Sequence, residues 1–126
     1  MKGYKQQQGR DYEETFALVA RMETVRIMLS IVVQQKWKVY QMDLKSSFLN
    51  GVLKEEVYVE QPLGYEIEGQ EHKVCKLRKD FYGLKQAPRA WYNKIRSYLI
   101  ENGFEKCDGE PTLYIKENDG KILIVV

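Results

Sequence analysis

The chain has 126 residues, 44% hydrophobic and 30% charged, with a formal charge of +2. That length holds one core burying roughly two-thirds of the unfolded chain's surface, and excludes a large enzyme. The composition is that of a soluble globular protein; no apolar run reaches the roughly 18 residues of a membrane span and Met1 to Gln6 form no signal-peptide core, so no membrane partner and no secretion are expected.

Residues 1–20 lack a clear period and are expected as a less regular appendage. From Arg21 to Trp37, Val25, Met28, Leu29, Val32 and Lys36 recur at helical spacing, and Ile27, Ile31 and Val33 widen the stripe, which predicts a largely buried helix. Lys38 to Asp43 alternates in the manner of a strand and ends on a carboxylate, and Asn50-Gly51 marks a tight turn. Val57 to Val59 and Val74 to Leu77 read as short strands around a loop with Pro62, Gly64 and Gly69. Pro88 suits the first turn of a second helix whose face carries Trp91, Ile95, Tyr98, Leu99 and Asn102, and Gly103 supplies its left-handed stop. Thr112 to Glu117 and Lys121 to Val126 predict two strands around Asn118-Asp119-Gly120. The second runs apolar to Val126 with no turn or cap, so the chain is expected to be cut inside a buried strand. This order predicts an α/β (α+β) fold, with helices behind a mainly antiparallel sheet as in split βαβ folds.

Charge is distributed unevenly. Six glutamates (55, 56, 60, 66, 68, 71) face one lysine between Lys54 and Glu71, whereas Lys73 to Arg96 holds eight Lys or Arg against Asp80 alone. That basic block, interleaved with Phe81, Tyr82, Trp91 and Tyr92, suits a phosphate backbone with bases or sugars stacked nearby; a solvated face is the alternative. Cys75 and Cys107 are too few for a disulfide framework. His72, Cys75, Cys107 and Asp108 could be assembled into a metal set, but structural zinc takes four ligands, mainly Cys and His at paired spacings. Free thiols, buried or half-buried, are expected instead.

Four blocks carry a resemblance: Asp11-Tyr12-Glu13-Glu14-Thr15-Phe16, Gln41-Met42-Asp43-Leu44-Lys45-Ser46-Ser47-Phe48-Leu49-Asn50-Gly51, Glu56-Val57-Tyr58-Val59-Glu60-Gln61-Pro62, and Phe81-Tyr82-Gly83-Leu84-Lys85-Gln86-Ala87-Pro88-Arg89-Ala90-Trp91-Tyr92. In this order and spacing the chain resembles, over essentially its whole length, the reverse transcriptases of Ty1/copia-type retrotransposons. Leu18 and Ser47 depart mildly from the family's Pro and Ala. The resemblance implies a polymerase palm-like antiparallel sheet backed by helices with part of the fingers, truncated at both ends: about 1–37 and 52–80 fingers-like or connecting, 38–51 and 81–126 palm-like. The implied protein is an RNA-directed DNA polymerase that copies retrotransposon RNA into DNA by two-metal nucleotidyl transfer. Its partners would be an RNA or DNA template-primer, deoxynucleoside triphosphates and the remainder of the Pol polyprotein, in the cytoplasmic virus-like particle of the element. The family's Tyr-x-Asp-Asp turn is not in this sequence, so the fragment alone is expected to be inactive. A non-catalytic nucleic-acid-binding remnant and a decayed relic are the alternatives.

Magnesium takes hard oxygen ligands, so a carboxylate closing a strand suits an anchor for one of the two Mg2+ ions of the complete enzyme. Asp43 is the expected catalytic and metal residue, with the Leu44 backbone as a further ligand. The alternative for Asp43 is a cap for the turn at Ser46 and Ser47. The resemblance assigns Leu44, Lys45, Ser46, Ser47 and Phe48 to the incoming nucleotide, with backbone N–H groups toward the triphosphate and Phe48 excluding a 2′-hydroxyl. The alternative for Phe48 is the core. Tyr82 and Gly83 are the implied second nucleotide contact. Lys85, Gln86, Pro88 and Arg89 are implied to lie beside the template. Trp91 and Tyr92 are expected to pack rather than stack, and Glu13, Glu14 and His72 have no assigned chemistry.

Overall fold

Helices form where apolar periodicity meets a stop signal. In the computed structural model, which describes residues 5–53 and 55–126, the first helix, α1, runs Met22–Gln35 and the second, α2, Ala87–Glu101. Residues 1–4 of the expected irregular opening, and Lys54, lie outside the described residues. Among the described residues no helix is long and apolar enough to cross a membrane.

Among the described residues, three antiparallel strand pairs complete the mixed α/β fold. Strands β1 (Tyr58–Glu60) and β2 (Val74–Lys76) pair with Val59 opposite Cys75. Strands β3 (Glu105–Lys106), β4 (Tyr114–Asn118) and β5 (Lys121–Val125) form a sheet in the order β3-β4-β5. The β4–β5 turn is the expected hairpin: Asp119 and Gly120 have φ of 49° and 71°, the double left-handed conformation that matches the twist of two strands. By its contacts the chain divides into two units, Met1–Ala17 with Ser46–Lys94, and Leu18–Lys45 with Ile95–Val126.

In the first unit the core is Val57, Leu84 and Ala87, with Phe48, Leu53 and Leu77 packed against it. The Leu77 N–H donates to the Val57 carbonyl at 2.8 Å, extending the β1–β2 ladder by one bond. Gln61 ties the intervening loop: its side-chain amide donates to the carbonyls of Gln70 (2.7 Å) and Lys73 (3.0 Å) and accepts from the Ile67 N–H (2.9 Å). The acidic stretch caps the same loop, with Glu66 accepting from the Gly64 N–H and Glu71 from the Gly69 N–H.

In the second unit Leu99 and Tyr114 are buried. Glu110, also buried, accepts from the hydroxyls of Thr24 (2.7 Å) and Thr112 (2.8 Å), with Arg21 at 3.8 Å. The Thr24 bond first, then Thr112, holds the Glu110 carboxyl below its usual range, because each stabilises the charged form.

Several expectations are corrected. α1 is not largely buried: Thr24, Val25, Met28, Ile31 and Val32 are half-buried on one face, whereas Ile27, Leu29 and Val33 face solvent. The stripe has helical spacing, but only one side of it is covered. Lys38–Leu44 forms no strand, because an extended segment needs a ladder partner and none of the described residues provides one. β5 is not a buried strand; Ile122 and Leu123 are exposed on the sheet's outer strand. Cys75 is exposed in β2, and Cys107 is half-buried; both are free. The opening segment is not an appendage, since Gln6 and Tyr12 are buried in the first unit.

α1 ends in a Schellman arrangement: Lys36 takes φ 54° and donates its N–H to Val32 and Val33 carbonyls, and the Trp37 N–H donates to Val32 at 3.0 Å. A lysine therefore occupies a position where glycine is the unstrained residue.

Candidate functional site

Two segments assigned to one nucleotide by the motifs meet within the first unit. Ser46, with φ 56°, opens the 3-10 turn Ser47–Asn50. The Leu49 N–H and the Asn50 side-chain amide both donate to the Ser46 carbonyl, at 3.0 and 3.2 Å. Lys94 donates to the Asn50 carbonyl at 2.9 Å and pins the far end. Phe48 packs on the core cluster and sets its ring edge-to-face against Tyr82, with centroids 5.8 Å apart and planes at 77°. Such aromatic pairs hold a preferred orientation beyond what area burial supplies. Gly83 follows at φ 92°, a conformation only glycine adopts without strain, and no atom lies where a Cβ would stand. The backbone at Gly83 is open to a ligand's close approach.

The residues assigned to the template lie just beyond, and three of them, Lys85, Gln86 and Arg89, are tied to the opening segment. Gln86 is fully buried; its side-chain oxygen accepts from the Gln6 amide at 2.9 Å. The Gln6 oxygen accepts from the Lys85 N–H at 2.9 Å. The Lys85 ammonium lies 5.3 Å from the centre of the Tyr12 ring and 3.3 Å from its hydroxyl. Arg89 donates to the Phe16 carbonyl at 3.0 Å and pairs with Glu14 at 2.6 Å. Pro88 is half-buried in the first turn of α2, where its missing N–H costs nothing. Glu14, which had no assigned chemistry, is thus the counterion of Arg89, and Gln6 was missed because no local pattern marks a residue whose partners lie about eighty positions away.

Asp80 was also missed, although it is the lone acid in the basic block. It is buried, and among the described residues neither carboxylate oxygen has a hydrogen-bond partner. Its N–H donates to the Gly51 carbonyl at 3.1 Å, and its side chain occupies the place a Cβ on Gly51 would need, with the Ala90 Cβ 3.0 Å from the same point. Burial first, and then the charge of Glu55, pushes the Asp80 carboxyl up from 3.8 to about 6.

Asp43, Leu44 and Lys45 belong to the second unit and are exposed in a segment without regular structure. The turn that begins at Ser46 has no side-chain cap hydrogen bond at that position. A magnesium ion takes near-octahedral oxygen ligation. Asp43 offers one carboxylate, and among the described residues no three His, Cys, Asp or Glu side chains gather to hold a metal. The described residues therefore do not complete a metal centre by themselves.

The profile of the reverse transcriptase (RNA-dependent DNA polymerase) family matches residues 1–126. The chain is 43% identical, over 99% of its length, to the retrovirus-related Pol polyprotein from transposon TNT 1-94 of Nicotiana tabacum, and covers 10% of that protein. It is 41% identical over 99% of its length to the corresponding polyprotein from transposon RE2 of Arabidopsis thaliana, covering 9% of it. A putative transposon Ty5-1 protein of Saccharomyces cerevisiae is 41% identical over 68% of the chain, which covers 28% of that protein. The chain thus spans about a tenth of the plant polyproteins it matches. No solved structure matches it.

Proposed function

The chain belongs to the reverse transcriptase (RNA-dependent DNA polymerase) family of retrotransposon Pol polyproteins, and from that premise we propose that it is the part of an RNA-directed DNA polymerase that receives the incoming deoxynucleotide and grips the template strand. The observation that carries this reading is the Phe48–Tyr82 contact: two segments assigned to one nucleotide on motif grounds lie edge-to-face in one unit, beside an open glycine backbone.

In this reading Phe48 presents a bulky edge to the sugar and is held rigid by Tyr82 and by the core behind it. A rigid wall discriminates better than a mobile one, because a substrate with an extra hydroxyl cannot be accommodated by a rotamer change. The Ser46–Phe48 backbone meets the triphosphate, and Gly83 lets the chain approach the substrate closely. Lys85 and Arg89 meet template phosphates, which fixes register without reading sequence. Asp43 would supply one oxygen ligand to a Mg2+ ion whose remaining ligands come from outside the described residues. Residues of about 1–37 and 52–80 are fingers-like or connecting, and 38–51 and 81–126 palm-like. The whole polyprotein copies element RNA within a cytoplasmic particle.

The test is RNA-templated incorporation of deoxynucleotides by a Pol polyprotein carrying this segment. Asp43→Asn should remove incorporation while leaving template binding intact. Incorporation at the unaltered rate in Asp43→Asn would refute the assignment.

A further inference from the structure

The opening segment holds Lys85 and Gln86 through a single buried side chain. Gln6 is 4% exposed and Gln86 2%. The Gln6 amide uses both of its ends: the nitrogen donates to Gln86 and the oxygen accepts from the backbone of Lys85, each at 2.9 Å. Its backbone carbonyl lies 3.5 Å from the Lys85 ammonium, which also lies 5.3 Å from the centre of the Tyr12 ring and 3.3 Å from its hydroxyl. One residue therefore fixes the Lys85 backbone, its neighbour's side chain and the direction of its ammonium, just ahead of α2.

We propose that Gln6 is a positioning residue for template binding: it aims the Lys85 ammonium at a phosphate of the nucleic acid through the paired amides of Gln6 and Gln86. This rests on the reading of Lys85 as a phosphate contact. The physical reason is entropic. A free lysine samples many rotamers and contributes little to a particular contact, whereas one whose backbone is hydrogen-bonded and whose ammonium lies over an aromatic ring is presented in advance. The geometry excludes a direct role for Gln6, which is buried, and leaves it acting through Lys85. Burying a side-chain amide is tolerable where it is hydrogen-bonded: Gln6 is met at both ends, and Gln86 accepts through its oxygen while its nitrogen has no partner among the described residues, so the pair is set by these long-range bonds and not by local propensity.

The experiment measures binding of a labelled RNA template annealed to a DNA primer, across a series of salt concentrations, by the full chain and its variants, alongside the stability of each. Lys85→Ala should lower the slope of log affinity against log salt by roughly 0.7 to 0.9, the share of one phosphate contact. Gln6→Met should lower it by the same amount, and the double variant by no more than either, since both remove one interaction. Leu77→Ala loosens the core cluster of the same unit and should reduce stability comparably, yet leave the slope unchanged because Gln6 still holds Lys85. An unchanged slope in Gln6→Met beside a lowered one in Lys85→Ala overturns the inference and leaves the template reading standing. Equal losses of slope in Gln6→Met and Leu77→Ala also overturn it, since that is general loosening. An unchanged slope in Lys85→Ala overturns the template reading and this inference with it. A measurement without any variant guards against misfolding: the Lys85 amide hydrogen should exchange slowly in the unaltered chain, and rapid exchange there overturns the proposal.

Discussion

Replacing Asp80 with asparagine should flatten the dependence of folding stability on pH between about pH 4 and pH 7. Asp80 is 3% exposed with both oxygens unpartnered among the described residues, so ionisation strands a charge that water would otherwise solvate. Its carboxyl rises from 3.8 to about 6, and Glu55 adds repulsion of the same sign. Because the folded value is the higher one, the folded state binds the proton more tightly. The favourable contribution is complete below 3.8 and is lost as pH rises through about 6. At 1.36 kcal/mol per pH unit the loss totals on the order of 3 kcal/mol by neutral pH. Asparagine cannot ionise, so that slope should vanish even though its amide hydrogens are also unpartnered and cost about 1–3 kcal/mol at every pH. Glu56, Glu71 and Glu110 act with the opposite sign, since their carboxyls are held below the usual range and their contribution fades on acidification. The informative quantity is therefore the difference between the two proteins. Urea unfolding of both at four values across the window supplies it. A difference that stays constant with pH would refute the reasoning, and would mean that the Asp80 carboxylate is solvated.

Lys36→Gly should stabilise the chain by about 1 kcal/mol, because glycine adopts the left-handed cap without steric cost; thermal unfolding measures it. Gly51→Ala should destabilise by about 1–3 kcal/mol in denaturant unfolding, and by less in an Asp80→Ala background, since the new methyl group would meet the Asp80 carboxylate and Ala90. Glu110→Gln should blunt the loss of stability as pH falls below 4.5, because the lowered carboxyl loses its Thr24 and Thr112 bonds' preference for charge on protonation. Glu14→Gln should tighten template binding and steepen its salt dependence, because it releases Arg89 from its 2.6 Å counterion.

What was legible in the sequence is what neighbours along the chain decide. α2 was readable because Pro88 and Gly103 bracket an apolar face, and the β4–β5 hairpin because Asp119-Gly120 accepts two left-handed residues. β3 was not, since Glu105–Lys106 is two residues long and exists only through its pairing with β4. The alternation of Lys38 to Asp43 misled for the same reason in reverse: period two describes a strand only where a partner receives its hydrogen bonds. Periodicity gave α1 its location but not its burial, because coverage of Ile27 and Leu29 depends on what packs there. At the site, Phe48, Tyr82 and Gly83 stood in recognisable motifs, whereas Gln6 and Glu14 acquired meaning only from partners about eighty residues away.

The most direct measurement is the ratio of ribonucleotide to deoxyribonucleotide incorporation by a Pol polyprotein carrying this segment, with phenylalanine or alanine at position 48. If Phe48, braced edge-to-face by Tyr82, is the wall against the sugar, Phe48→Ala should raise that ratio on the order of tenfold or more while deoxyribonucleotide incorporation persists. Tyr82→Ala should raise it less, since the wall remains but loses its brace. An unchanged ratio in a folded, active Phe48→Ala variant would contradict the proposal and leave Phe48 as a core residue.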